Sequence, residues 1–410
     1  MTPWLCSRPK PAPDRYRVRP LELDAGPVTA LAEHVVAGTH VASARLGDRA
    51  DAVVGYGRAA ERGTARRIAI LEAWERWASL RPREVPVVRG SYWDLRATAI
   101  DPRTLGSHGP DALLRPGFGL SRFSSSRDYD WVWAYSFQRD ERVLVPVDVA
   151  YYGLNRPSAR HRCFVYETSN GCAVGGCREE AVLHGLLEVA ERDAFLLTWY
   201  GRRSVPELVG TTAGVTLLDI TTVEQRVPCV LAIARSPDGP AFACATAAHP
   251  ASVSAAAEHA VTELGPFAAD LAVRYRRHRD TARAMAENPD LVRRMGDHAL
   301  AYADPVAAAR TAFLFETATD GIQSDPIATD DLRDDVLAMV ERYTSVGLDV
   351  LVVDQTTAEL RERELACVKV IVPGTLPMTF GHAYRRVHGL PRLAAHANGG
   401  PINPWPHPFP

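Results

Sequence analysis

Lysine is almost absent from this chain of 410 residues, in which only Lys10 and Lys369 occur and arginine supplies the other positive charges. The sequence contains no GxxxxGK[ST] run and no GxGxxG run, so both common nucleotide-binding loops are missing. No two of the seven cysteines have the CxxC spacing, and their spacing does not match a zinc ribbon or finger. We therefore expect buried free thiols rather than a disulfide framework or a metal–thiolate site.

Strong net charge and long apolar runs are also missing. The formal net charge is −2 and the pI about 6.7, so no basic field predicts a nucleic-acid partner. No apolar run approaches the roughly 18 residues that span a bilayer, and the N-terminus lacks the apolar stretch of a secretory signal. With 46% hydrophobic and 23% charged residues, the composition predicts a folded globular protein, which we expect in the cytoplasm with neither membrane nor nucleic acid as a partner.

Strand and helix patterns alternate irregularly along the chain, which favours an α+β fold with mixed, mainly antiparallel sheets packed against helices. Apolar periodicity predicts helices over 65–80 and 178–200, and a helical stretch over 251–316 that is interrupted at three prolines. Segments rich in Val, Tyr and Trp between 85 and 165 predict a meander of strands.

The chain shows no low-complexity linker between 50 and 400, so we expect one large domain over 51–400. An irregular arm rich in Pro and Arg precedes it over 1–50, with a short helix predicted at 25–36. A Pro-rich tail follows over 401–410.

Two predicted helices share the pattern Glu-x-x-Glu-Arg, which places two carboxylates on one helix face. The second helix is apolar almost all round, so ionised glutamates on it require compensation. Neighbouring arginines in a purely structural network would supply it, and so would Mg²⁺, which prefers carboxylate oxygens and commonly bridges phosphates. The residues concerned are Glu72, Glu75 and Arg76 in the first helix, and Glu180, Glu188, Glu191 and Arg192 in the second.

Further motifs surround this acidic pattern and follow one another in a fixed order. They are Gly55-x-Gly57, the run Ser169-Asn170-Gly171-x-Ala173-x-Gly175, Asp297-His298, Val353-Asp354-Gln355-Thr356, Val368-Lys369-Val370-x-x-Pro373-Gly374, Gly381-His382, Arg385-Arg386, Gly389-Leu390-Pro391-Arg392-Leu393 and Pro404-Trp405-Pro406-His407-Pro408-Phe409-Pro410. Taken together over roughly 50–410, they resemble the YcaO proteins.

The resemblance implies ATP-dependent activation of a peptide backbone amide. In the azoline-forming branch, a Cys, Ser or Thr side chain of a ribosomal precursor peptide, such as that of a thiopeptide, attacks the preceding carbonyl, and the resulting oxyanion is phosphorylated before phosphate leaves. The family's Mg²⁺–ATP ligands carry over to Glu72, Glu75, Glu188 and Glu191. Nucleotide or phosphate contacts carry over to Glu180, Arg192, Arg76 and Asn170.

Alternating prolines at the C-terminus, Pro406, Pro408 and Pro410, enforce an extended conformation. By itself such a tail is more often disordered. In the family, a PxPxP terminus marks azoline-forming members and lies near the active site, so the resemblance assigns these three prolines to the catalytic machinery. It also predicts that deleting 406–410 abolishes turnover and spares the fold.

The sequence departs from the family pattern at three single positions and in one segment, since the stretch Glu258-His259 … Glu263 … Pro266 lacks the arginine and the glutamine that many members show near 255–266. Tyr56 stands where a lysine is frequent, Ile68 where a serine is frequent, and Gly176 where a polar residue is expected. Because the four glutamates are intact, we still expect ATP binding.

The resemblance also implies two partners: the precursor peptide and a separate ThiF-like protein that binds its leader. A homodimer is compatible with it. Two alternatives stay open, namely another YcaO reaction that forms a thioamide or an amidine, and a non-catalytic peptide-binding scaffold.

Overall fold

Three separate sheets are present in the residues that the computed structural model describes, which are 4–10, 28–47, 52–80, 85–153, 163–208, 214–316 and 321–409. Within these ranges the strands are β1 Val28–Val36, β2 Thr39–Leu46, β3 Val53–Ala59, β4 Val88–Ser91, β5 Asp128–Ser136, β6 Glu141–Pro146, β7 Cys172–Gly175, β8 Val215–Asp219, β9 Cys229–Ala234, β10 Ala243–Ala248, β11 Leu351–Asp354 and β12 Ala366–Ile371.

Helices of very different length lie between these strands. They are α1 Arg62–Ser79, α2 Tyr92–Leu95, α3 Pro110–Leu113, α4 Val147–Ala150, α5 Arg178–Tyr200, α6 Val253–Arg277, α7 Arg279–Glu287, α8 Met295–Tyr302, α9 Pro305–Ala308, α10 Leu332–Ser345, α11 Ala358–Glu362 and α12 Pro391–His396. None of these helices combines the length and the apolarity that crossing a bilayer requires.

The largest sheet has the order β4-β5-β11-β12-β7, with β6 paired to β5. The two smaller sheets have the orders β1-β2-β3 and β10-β9-β8. Every pairing between these described strands is antiparallel. The predicted α+β fold with mainly antiparallel sheets is therefore confirmed.

The described part of the N-terminal segment corrects two predictions, the irregular arm over 1–50 and the short helix at 25–36. Residues 1–3, 11–27 and 48–50 lie outside the described residues. Strands β1 and β2 form a hairpin in which Val36 pairs with Thr39. The two-residue turn between them has positive φ at both positions, 50° at Ala37 and 80° at Gly38, and such turns match the twist of paired strands. The β-branched residues before the turn therefore pair with β2 instead of forming a helix.

The two glycines of the Gly-x-Gly motif let α1 lie directly against β3. A Cβ at Gly55 would lie 2.2 Å from the carbonyl oxygen of Ala69, and one at Gly57 would lie 1.9 Å from that of Ala65. Both distances are far inside van der Waals contact, so any side chain at either position would push the helix away. The motif thus fixes the position of the helix that carries the first acidic pattern.

Helix α5 confirms the helix predicted over 178–200 and runs through the core. It packs against β7 and β12 on one side and against α10 on another. Side chains are buried along nearly its whole length. Five residues of the helix are half-buried. Apart from Arg178 at the start of the helix, they share one face, and they are His184, Glu188, Glu191 and Arg192.

The helical stretch over 251–316 is interrupted at two of the three predicted prolines. Helix α7 ends before Asn288-Pro289, and α9 begins at Pro305. The prediction is wrong at Pro266, which lies inside α6 without ending it.

The C-terminal tail is built into the core, because most of its residues from 403 to 409 are buried. The indole Nε1 of Trp199 donates to the carbonyl oxygen of Trp405 at 3.1 Å, and the Tyr302 hydroxyl donates to that of Pro406 at 2.7 Å. The ring of His407 is stacked on His298, with 4.1 Å between ring centres. Deleting 406–410 would therefore remove core contacts, so we expect the deletion to destabilise the fold rather than to spare it.

Candidate active site

The acidic residues of α1 and α5 face one another. Burial raises the pKa of all four carboxyl groups above the ordinary glutamate value. For Glu75, the negative charges of Glu188 and Glu72 raise the pKa further. Burial raises the pKa of Glu191 to about 7. The structure thus brings Glu72, Glu75, Glu188 and Glu191 into one electrostatically coupled group, which we call the carboxylate cluster.

Arg76 holds the α1 side of the cluster in place. Its Nη2 donates to Glu72 Oε1 at 2.7 Å, and its Nη1 donates to the carbonyl oxygen of Val54. The other oxygen of Glu72 accepts from the backbone N–H of Tyr56. Glu72 is therefore oriented by β3 as well as by its own helix.

Arg192 lies on the α5 side of the cluster, but its Nε makes no hydrogen bond to the carboxylates there. Its Nε is 3.9 Å from Glu188 Oε1 and 3.7 Å from Glu191 Oε1, and this nitrogen is buried without a hydrogen bond. The guanidinium carbon lies 4.2 Å from the ring centre of Phe409 in the C-terminal tail. Thr246 on β10 donates to Glu191 Oε1 at 2.7 Å.

Three charged side chains that the sequence analysis did not assign to the metal or nucleotide site also act on the pKa values of the cluster. The positive charge of Lys369, on β12, lowers the pKa of Glu75 and Glu188. The negative charge of Glu263, on α6, raises the pKa of Glu72 and Glu191. Glu263 is itself paired with Arg58 at 2.6 Å, and the charge of Arg58 lowers the pKa of Glu72. The signal available for Lys369 was a lysine inside the apolar strand Val-Lys-Val-Ile-Val.

Glu180 and Asn170 lie outside the cluster. Glu180 is buried in the first turn of α5, about 12 Å along the helix from Glu188, and its carboxylate accepts from the backbone N–H of Gly176 at 2.8 Å. Asn170 has a buried side-chain oxygen without a hydrogen-bond partner and lines a cavity that Lys369 also lines. Their nucleotide contacts stay predictions.

The prolines assigned to the tail occupy buried positions where they are described. Pro406 and Pro408 are buried, and the residue that follows them, Phe409, contacts the Arg192 guanidinium. Pro410 lies outside the described residues. Proline side chains carry no titratable group, so Pro406 and Pro408 can act only by positioning the tail.

The donor set suits divalent cations that carry phosphates. Four carboxylates lie near four cations, Arg58, Arg76, Arg192 and Lys369, and their pKa values stay raised although these charges lower them. Hard oxygen ligands of this kind are those that Mg²⁺ prefers, and the unpaired Arg192 Nε offers a donor to a phosphate oxygen. The residues present therefore fit Mg²⁺ and a nucleotide phosphate chain.

A family model described as YcaO cyclodehydratase, ATP- and Mg²⁺-binding, matches residues 56–376. The chain belongs to the YcaO family. A curated relative, an uncharacterised protein of Methanothermobacter thermautotrophicus, is 35% identical over 141 residues, which are 34% of this chain and 33% of that protein. The match thus spans about a third of that relative's length.

Two solved structures show the same fold. A heterocyclase in complex with substrate and cofactor has a TM-score of 0.75 and 21% identity, and the match covers 99% of this chain and 59% of that one. A YcaO protein from Methanopyrus kandleri bound with AMPPCP and Mg²⁺ has a TM-score of 0.59 and 22% identity, over 85% of this chain and 86% of that one. At identities of 21% and 22%, these two matches show that the folds are alike.

Magnesium affinity is expected to fall as the pH drops below about 7. A carboxylate must lose its proton to bind the metal, and the pKa of Glu191 is raised to about 7, so protons compete with Mg²⁺ in this range. One competing proton weakens binding by up to about tenfold per pH unit. Calorimetric titration with Mg²⁺–ATP between pH 6 and 8 measures this, and an affinity that does not change with pH would contradict it.

Proposed function

We propose that this protein catalyses ATP- and Mg²⁺-dependent cyclodehydration of Cys, Ser or Thr residues in a ribosomally synthesised precursor peptide, yielding azolines. The observation that carries the proposal is the carboxylate cluster shared by α1 and α5, with Arg192 between the cluster and the buried tail. Mg²⁺ held by Glu72, Glu75, Glu188 and Glu191 would neutralise the charge of the triphosphate.

The proposed reaction conserves atoms and electrons at each step. The side-chain thiol or hydroxyl of the peptide loses its proton to solvent as its sulfur or oxygen attacks the preceding carbonyl carbon, and the carbonyl oxygen takes up the negative charge. That oxygen receives the γ-phosphoryl group, so ATP becomes ADP. The C–O bond then breaks, the amide nitrogen loses its proton, and phosphate leaves as the C=N bond forms. The arginines contribute by binding phosphate oxygens, whose charge is spread over the transferring group.

A precursor peptide and a separate ThiF-like protein that binds its leader are the partners we propose. Support for a peptide substrate comes from the matched heterocyclase, whose structure contains its substrate. The match covers 59% of that heterocyclase chain. In this proposal, the ThiF-like protein recognises the leader.

The proposal is tested by incubating the purified chain with a precursor peptide that contains Cys, Ser or Thr residues, the ThiF-like partner and Mg²⁺–ATP. We expect phosphate release that depends on peptide, and a mass loss of one water per modified residue. Chelation of Mg²⁺ should stop both. A gain of mass in place of a loss would identify thioamide formation, in which sulfur replaces the amide oxygen. A loss of water that fragmentation locates away from Cys, Ser and Thr would identify an amidine, and no ATP consumption at all would favour a non-catalytic scaffold.

A further inference from the structure

A small cavity adjoins the carboxylate cluster. Its volume is about 40 Å³, and Lys369, whose charge also acts on Glu75 and Glu188, forms part of its wall. This volume holds about three water molecules, so a carboxylate or a phosphate group fits. Asn170 and Arg386 supply further polar atoms to the wall.

Arg386 is a buried cation that pairs with no carboxylate among the residues that the structure describes. It is 5% exposed, and its Nε and Nη1 atoms are buried without a hydrogen bond. Burial lowers the pKa of Arg386 to about 10, so the guanidinium is still charged at neutral pH. An unpaired buried charge destabilises the fold, because nothing replaces the hydration that it has lost.

The neighbours of Arg386 do not neutralise it. Burial is what shifts its pKa, without a contribution from the cavity's carboxylate, Asp148. That carboxylate lies instead within 4.8 Å of ligand atoms of Cys163 and Glu167. His108 is uncharged, because burial and the charge of Arg386 lower its pKa to about 3. Among the described residues, no carboxylate therefore forms an ion pair with Arg386.

Asn170 adds a second unsatisfied group to the same wall. Its side-chain oxygen is buried without a partner. An amide can present either its oxygen or its NH₂ group after a flip, so it matches a protonated or an ionised oxygen of a ligand. Lys369 Nζ donates to the carbonyl oxygen of Thr168 at 2.6 Å, which leaves it two further N–H donors.

We propose that this cavity is an oxyanion-binding subsite, in which Arg386, together with Lys369 and Asn170, holds a phosphate or carboxylate group beside the nucleotide site. The identity of the natural ligand rests on the proposed function: phosphate would come from ATP, and a carboxylate would come from the peptide. Binding itself rests only on the cavity and its unpaired donors. Arg386 pairs in a planar, bidentate way with either group.

The subsite is tested with two probes, inorganic phosphate and acetate, titrated into the full chain without nucleotide, metal or peptide. We expect one of them to bind and to raise the melting temperature. Arg386→Met should weaken that binding at least tenfold, and it should melt at a higher temperature than the wild type without ligand, because an unpaired buried charge is removed. Preference for phosphate indicates the product of ATP cleavage, and preference for acetate indicates a peptide carboxylate.

A matched control is Arg203→Met. Arg203 is also largely buried with an unpartnered Nη1, but carboxylates of Glu224 and Asp219 act on it, and it does not line the cavity. This variant should bind the probe as the wild type does. Binding of neither probe, or equal binding by Arg386→Met, would overturn the proposal. Neither result depends on cyclodehydration, so failure of the subsite and failure of the proposed function are separate outcomes.

Discussion

Glu75→Gln is expected to remove Mg²⁺–ATP-dependent turnover and, at the same time, to stabilise the metal-free protein. Turnover should fall by at least about 100-fold, because loss of a group that only supports a metal ligand already costs 10- to 100-fold. The stabilisation follows from repulsion: burial and the charges of Glu188 and Glu72 raise the pKa of Glu75 well above its ordinary value. We expect the metal-free variant to melt at a higher temperature than the metal-free wild type, because a neutral amide replaces a buried carboxylate that its neighbours repel.

The sign of this effect depends on pH. The folded protein binds a proton at Glu75 more tightly than the unfolded chain does, so Glu75 lowers stability as the pH rises above the ordinary pKa of 4.5. The gain from Glu75→Gln should therefore be larger near pH 8 than near pH 5. Thermal unfolding without metal measures it, and calorimetry with Mg²⁺–ATP measures the loss of binding.

Glu179→Gln is the matched control for this change. Glu179 is a buried carboxylate on α5 that accepts from the backbone N–H of Cys6 at 2.7 Å and pairs with Arg8 at 3.3 Å. Its neutralisation should lower the melting temperature and leave Mg²⁺–ATP binding intact. If Glu75→Gln behaves in the same way, the carboxylate cluster is a structural network and the metal assignment is wrong.

Sequence reasoning succeeds where a single helix carries the whole signal. The bounds of α5 follow from its apolar periodicity, and the three-residue spacing of Glu188 and Glu191 places both on one face, which the structure shows as its half-buried stripe. Both properties are local. The hairpin of β1 and β2 was missed because the segment contains alanines and has no clear helix or strand periodicity. Its strand structure depends on pairing with β2, which is a property of the fold and not of the segment alone.

The parts of the site that come from distant strands were not predictable in this way. Thr246 and Lys369 reach the cluster from β10 and β12, which belong to different sheets. No sequence spacing relates them to Glu191 or Glu75, since only the packing of α5 against both sheets brings them near. A lysine inside an apolar strand is a usable signal of a buried partner, but it does not say which carboxylate it meets.

Phe409→Ala is expected to have the largest effect on stability. Phe409 is 7% exposed and packs on Phe195, with 5.3 Å between ring centres. Truncation of a buried Phe costs about 3 kcal/mol or more. The same ring lies 4.2 Å from the guanidinium carbon of Arg192, so its loss also removes a cation–π contact of about 1 kcal/mol. Turnover should then fall by roughly tenfold, if the ring is what holds Arg192 towards the nucleotide.

Phe409→Leu separates the two effects. Leucine keeps most of the apolar volume, so the stability loss should be below about 1.5 kcal/mol, but it has no π face for Arg192. We therefore expect both variants to lose turnover and only Phe409→Ala to unfold at a clearly lower temperature. Steady-state kinetics with varied ATP and thermal unfolding of both proteins provide the comparison. Full turnover in Phe409→Leu would mean that the tail supports the fold alone, because the position of Arg192 would then be independent of the aromatic ring.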